Sequence, residues 1–161
     1  MSKKRILFIV NPISGHHDKK RFRECVAREL GGESFSYDII FTEYAGHATE
    51  LSLGAVGRYD IVAAVGGDGT LNEVAHILVG TDTTLAVIPY GSGNGLARCL
   101  HIPLNTEKAL RLLQNGRIQQ IDTGSAEHPT EATPTVCPST PSSSKTSATR
   151  RCTIPCVHPG Q

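Results

Sequence analysis

The sequence predicts an α/β protein: a three-layer α/β/α sandwich with a mainly parallel sheet over residues 1–124, followed by a disordered tail over 125–161. Three observations carry this. Short apolar runs alternate with segments of helical periodicity, the pattern of consecutive βαβ units. Polar, glycine-rich loops follow three of the apolar runs. Composition breaks after Gly124: residues 125–161 hold 6 Ser, 7 Thr and 6 Pro but no Leu, Phe, Tyr or Met. Such a segment has too little apolar surface to offset chain entropy.

The elements follow in order. Arg5–Val10 is an apolar run ending at Asn11-Pro12, as a buried strand does. Phe22, Cys25, Val26 and Leu30 follow helical spacing, and Gly31-Gly32 closes that helix. Tyr37–Phe41, rich in β-branched and aromatic residues, reads as a second strand. Ala48, Leu51 and Ala55 support a second helix ending near Gly57. Ile61–Val65 is a third strand, stopped by Gly66-Gly67. Leu71, Val74, Ala75 and Leu78 stand at i, i+3, i+4 and i+7 and mark a third helix. Leu85–Ile88 is a fourth strand, stopped by Pro89. Leu96 and Leu100 indicate a short helix, Thr106–Leu113 another ended by Asn115-Gly116, and Arg117–Ile121 begins a further strand. In parallel sheets of this kind ligands bind at the carboxyl ends of the strands. The loops Asn11–Gly15, Gly66–Thr70 and Gly91–Gly95 all fall there.

Charge is balanced, 16 Lys+Arg against 15 Asp+Glu, for a net +1. That excludes a strongly basic nucleic-acid binder, so no nucleic-acid partner is expected. No apolar stretch reaches 18 residues. The basic start, Met1–Arg5, is followed only by Ile6–Val10 before Asn11-Pro12, too short for the apolar core of a signal peptide. A cytoplasmic protein is expected. Cys25 and Cys99 sit in apolar patterns and read as core thiols. Cys152, Cys156 and His158 lack a second ligand cluster, and no metal site is read from them.

Gly66-Gly67-Asp68-Gly69-Thr70 follows a buried strand and opens a helix. Glycines let a backbone approach a phosphate closely, and a helix N-terminus offers free N–H donors. No Lys follows, so this is not a Walker A loop. Asp68 would repel a bare phosphate. Its presence makes sense if it holds a metal ion, orients a ribose or a backbone turn, or takes part in proton transfer. Thr70-Leu71-Asn72-Glu73 also reads as a capping box, which would give Thr70 and Glu73 a purely local role. The second loop, Gly91-Ser92-Gly93-Asn94-Gly95, stands ahead of a helix one βα unit later. The third, Asn11-Pro12-Ile13-Ser14-Gly15, lies beside the other two in a parallel sheet. His47 starts a helix and reads as a cap or surface residue before a general base. Lys19-Lys20-Arg21 and Arg23 form a basic cluster on a helix.

N-P-x-S-G, then G-G-D-G-T-x-N-E, then P-x-G-S-G-N-x-L-A resembles the catalytic-domain signature of the diacylglycerol kinase-like lipid kinases, which include sphingosine and ceramide kinases. The likeness runs from Arg5 to about Gly124. G-G-D-G alone is shared with NAD kinases and phosphofructokinases; the flanking loops narrow it. The resemblance implies ATP and Mg2+ as cofactors and a lipid acceptor met at a membrane surface, with the protein peripheral to the inner face. By position it implies that Asn11, Pro12, Ser14 and Gly15 line the nucleotide phosphates and that Thr42 contacts the nucleotide. Gly66, Gly67, Asp68, Gly69, Thr70, Asn72 and Glu73 would bind ATP, with Gly91, Ser92, Gly93 and Asn94 opposite. Asp68 is the catalytic candidate, in Mg-ATP chemistry, and Arg98 is a candidate for balancing phosphate charge.

The resemblance also implies a second, β-rich half that supplies the general base and much of the lipid pocket. Family-like sequence reaches Ile121-Asp122-Thr123-Gly124 and then gives way to the Ser/Thr/Pro-rich segment. The expectation is a frameshifted or truncated end with weak or absent turnover. Translating the other two frames past codon 124 tests it, and the absence of any apolar-patterned frame there would sink it. Two other readings stay open: a non-catalytic ATP-binding fragment, and a relative of the NAD or sugar-phosphate kinases.

Overall fold

The computed structural model describes residues 3–13, 19–32, 34–124, 137–138 and 150–156. Strand β1 (Lys4–Val10) leads to helix α1 (Lys19–Leu30), β2 (Phe35–Phe41), α2 (His47–Ala55) and β3 (Ile61–Gly66). Then come α3 (Asp68–Leu78), β4 (Thr84–Pro89), the short α4 (Gly95–Cys99), α5 (Thr106–Asn115) and β5 (Arg117–Gly124). Two short strands complete the described residues, β6 (Cys137–Pro138) and β7 (Arg150–Cys156).

The first four strands form one parallel sheet in the order β2-β1-β3-β4. Every residue of β3 and β4 is buried, as is β1 from Ile6 onward. Their unbroken apolar runs are those of strands covered on both faces. Strand β2 is one edge of this sheet and alternates half-buried with exposed positions over its first part. The chain leaves β1 in one direction and β3 in the other. Right-handed crossovers then put α1 on one face and α2 and α3 on the opposite face. Accordingly α1 packs on α5, and α2 on α3.

Phe8, Phe22, Leu30 and Val26 fill the core between β1 and α1, with Phe8 and Phe22 edge-to-face at 6.0 Å. At the outer rim the two helices of that face are clasped by charge. Arg111 Nε donates to Glu29 Oε2 at 2.6 Å and Arg28 Nη2 to Glu107 Oε1 at 2.5 Å, while Gln114 donates to the Glu29 carbonyl. The Arg111 guanidinium, with Arg28, holds the Glu29 carboxyl below the usual carboxylate range. Helix α5 starts at a capped end, where Asn105 Oδ1 accepts from Lys108 N at 3.1 Å.

The expectation of a wholly disordered tail fails at two places. β5 pairs antiparallel with both β6 and β7. Ile154 of β7 is fully buried and belongs to the main core, and β7 lies against β4. Composition averaged over 125–161 hides the short run around Ile154, and the strand edge that accepts it is non-local. The rest of 125–161, including His158, lies outside the described residues. Cys99 is a second correction: Cys25 is buried as expected, but Cys99 is exposed, because it ends a helix only five residues long. Burial pushes the Cys25 thiol above its ordinary range.

Candidate functional site

The reversal of direction between β1 and β3 leaves a crevice at their carboxyl ends, the place where ligands settle in open α/β sheets. Asn11 stands at its floor. Its backbone N–H donates to the Val65 carbonyl at 2.9 Å, which extends the sheet by one bond. Its Oδ1 accepts from Ile13 N at 2.9 Å and turns the chain sharply. Its Nδ2 donates to Thr70 Oγ1 at 3.1 Å. Thr42 lies on the other side, where its N–H donates to the Val10 carbonyl at 2.8 Å. Pro12 is half-buried beside Asn11; Ser14 and Gly15, with His16 and His17, lie outside the described residues.

Helix α3 does not form the capping box. Its N-cap is Gly67, and no side chain caps it. Thr70 is already inside the first turn and buried, so its hydroxyl is free to accept from Asn11 rather than from its own helix. Asp68 and Gly69 are exposed at the helix mouth, and Asn72 and Glu73 are half-buried one turn on. The first N–H groups of the helix therefore point into the crevice without a side-chain acceptor.

The second glycine loop is fitted to the first. Tyr90 N donates to the Gly66 carbonyl at 3.0 Å, so the β3–β4 pairing carries into the loops. Gly91 packs on Gly67: a Cβ at Gly91 would stand 2.7 Å from Gly67 Cα. A Cβ at Gly93 would stand 2.9 Å from Asp68 Oδ2. The Asp68 carboxylate thus lies over Gly93, between the two loops. Ser92 and Gly93 are exposed. Asn94 is buried, and its amide bonds Gly91. Arg98 Nε donates to the Gly93 carbonyl at 3.1 Å, so this exposed residue braces the loop. Nothing in its sequence setting signalled that contact.

Other candidates fall away from the crevice chemistry. His47 Nδ1 accepts from Glu43 N at 3.2 Å and its ring stacks on Tyr44 at 4.6 Å, which is the local role expected of it. Lys19 and Arg23 of the basic cluster lie over the Phe41 ring at 5.1 and 5.3 Å. An open pocket of about 420 Å3 lies between α1 and the start of α5, lined by Phe22, Cys25, Arg28, Tyr90 and Thr106 among others. It was not legible in the sequence because its walls come from three separated segments. Among the described residues no cluster of three His, Cys, Asp or Glu side chains could hold a metal, and no helix is long and apolar enough to cross a membrane.

The fold and the crevice define a parallel α/β domain with two interlocked glycine loops at the carboxyl ends of β3 and β4, beside its topological switch point. The chain belongs to the family described as the diacylglycerol kinase catalytic domain, which it matches over residues 5–126. It is 38% identical over 125 residues to a diacylglycerol kinase of Bacillus subtilis, covering 75% of this chain and 41% of that protein. It is 34% identical over 125 residues to one from Staphylococcus saprophyticus, covering 76% of this chain and 41% of that protein. A crystal structure of a diacylglycerol kinase from Bacillus anthracis superposes with a TM-score of 0.69 at 28% identity, covering 76% of this chain and 44% of that one. The chain thus spans about two fifths of the length of the curated relatives it matches.

Proposed function

We propose that the chain binds Mg-ATP in the β1/β3 crevice and takes part in phosphoryl transfer to a lipid hydroxyl of the diacylglycerol class, with residues 1–124 as the nucleotide half. Family membership and the names of the relatives support the kinase chemistry and the acceptor class. One observation carries the site: the Asn11 Nδ2–Thr70 Oγ1 bond joins the end of β1 to the first turn of α3, which supports one ligand meeting both. The first turn of α3 offers N–H donors and the positive end of the helix dipole to a phosphate. Gly67 and Gly91 keep the backbone low enough for phosphate oxygens to approach it. Ser92 and Thr42 flank that position with hydroxyls.

In the reaction the lipid hydroxyl oxygen forms a bond to the γ-phosphorus while the bond to the ADP oxygen breaks; ADP is the leaving group, and the hydroxyl proton passes to the general base that the family resemblance assigns to the β-rich half. Acceleration of such a step comes mainly from positioning and charge stabilisation. Mg2+ keeps several waters and needs only one or two protein carboxylates beside the phosphates. The exposed Asp68 carboxylate over Gly93 fits that requirement. The bound ion would neutralise charge on the phosphate oxygens. An acceptor of this class places the working protein peripherally at a membrane surface.

Isothermal titration with Mg-ATP and a thin-layer assay of labelled ATP with diacylglycerol or a sphingoid base test the two parts separately. Saturable binding with label transferred to diacylglycerol supports the whole reading. Binding without transfer leaves a nucleotide-binding module, and no binding overturns the site.

A further inference from the structure

Asn94 was expected to meet the ligand, yet its environment is that of a brace. Its backbone is left-handed, at φ 53° and ψ 44°, a conformation that Asn tolerates better than most side chains. The residue is only 8% exposed. Its Oδ1 accepts from Gly91 N at 3.2 Å and its Nδ2 donates to the Gly91 carbonyl at 2.6 Å. One amide therefore satisfies both backbone groups of a single residue and closes the loop into a ring. Gly91 is the residue that packs on Gly67. The following side of the loop is fixed as well: Arg98 N donates to the Asn94 carbonyl at 3.0 Å and Arg98 Nε to the Gly93 carbonyl at 3.1 Å.

We propose that Asn94 is a positioning residue that holds the Gly91–Gly93 backbone against Gly67 and so sets the spacing of the two glycine loops without touching the ligand. The inference rests on the reading of the crevice as an Mg-ATP site. Ser92 and Gly93 then meet the nucleotide, and Asn94 acts through them. Asn94→Gly keeps the left-handed backbone and removes only the clamp. Asn94→Asp keeps an acceptor for the Gly91 N–H but sets a carboxylate oxygen against the Gly91 carbonyl.

The test uses the full chain and compares Asn94→Gly, Asn94→Asp and Ser92→Ala with wild type. Mg-ATP affinity is read by titration, and amide hydrogen exchange over Gly91–Gly93 is read without nucleotide. Asn94→Gly is expected to weaken Mg-ATP binding about tenfold, in line with two lost hydrogen bonds, and to speed loop exchange together with it. Asn94→Asp should fall between, and it carries the same test if Asn94→Gly does not fold. Ser92→Ala should weaken binding with loop exchange unchanged. Weaker binding in Asn94→Gly with unchanged exchange would make Asn94 a direct contact and overturn the proposal. Faster exchange with unchanged affinity would overturn it too. If wild type binds no Mg-ATP, the crevice reading fails by itself. The exchange comparison then still decides whether Asn94 clamps the loop.

Discussion

The Asn11 carboxamide donates to Thr70 Oγ1 across 3.1 Å and so ties the end of β1 to the first turn of α3, 59 residues later. The bond crosses the switch point of the sheet and makes one crevice from two loops. Its contribution is separable. In a double-mutant cycle, Asn11→Ala and Thr70→Val should couple by about 1 kcal/mol in urea unfolding, the net worth of a partly buried hydrogen bond. Thr70→Val should also weaken Mg-ATP binding. Additivity within about 0.3 kcal/mol would mean that the pair is not linked.

The two loop glycines should respond differently to the same small change. A Cβ at Gly91 meets backbone, Gly67 Cα at 2.7 Å, which has nowhere to go. Gly91→Ala should therefore cost about 1–3 kcal/mol of stability, as overpacking does. A Cβ at Gly93 meets only the carboxylate end of Asp68, which can swing away. Gly93→Ala should leave the urea midpoint nearly unchanged and weaken Mg-ATP binding. Equal destabilisation by both would contradict this geometry.

Glu29 gives the fold an acid limit. Its carboxyl is depressed by Arg111 and Arg28. A depressed carboxyl contributes stability above its unfolded value, about 4.3, and loses it as pH falls through the lower folded value. Glu29→Gln should remove that share of the acid sensitivity. It should also lessen the salt dependence of the α1–α5 clasp. Unfolding midpoints measured across that acid range check it; identical profiles for wild type and Glu29→Gln would count against the clasp.

Ile154 tests whether the C-terminal segment belongs to the fold. It is fully buried against the sheet. Ile154→Ala should cost about 2–5 kcal/mol, as for other buried Ile to Ala changes. A stability unchanged from wild type would return β7 to the composition-based expectation of a tail without structure.

The legible part of the protein was the part whose signals are local. Ile61–Val65 and Leu85–Ile88 announced buried parallel strands because both faces of those strands are covered, so every residue is apolar. The two glycine loops were found because backbone chemistry near a helix start depends on neighbours in sequence. Two features escaped because they depend on partners far along the chain. Thr70 read equally as a helix cap and as a ligand contact; its bond to Asn11, across the sheet, was in neither reading. Ile154 looked like part of a structureless tail until β5 offered it an edge.

On this reading the nucleotide is held by the interlocked glycine loops that follow β3 and β4, beside the β1/β3 switch point. The most direct measurement is amide hydrogen exchange of the full chain with and without Mg-ATP. Protection centred on Gly66–Leu71 and Gly91–Gly93 is the predicted result. Protection confined to the α1–α5 pocket around Phe22 and Thr106, or none at all, would contradict it.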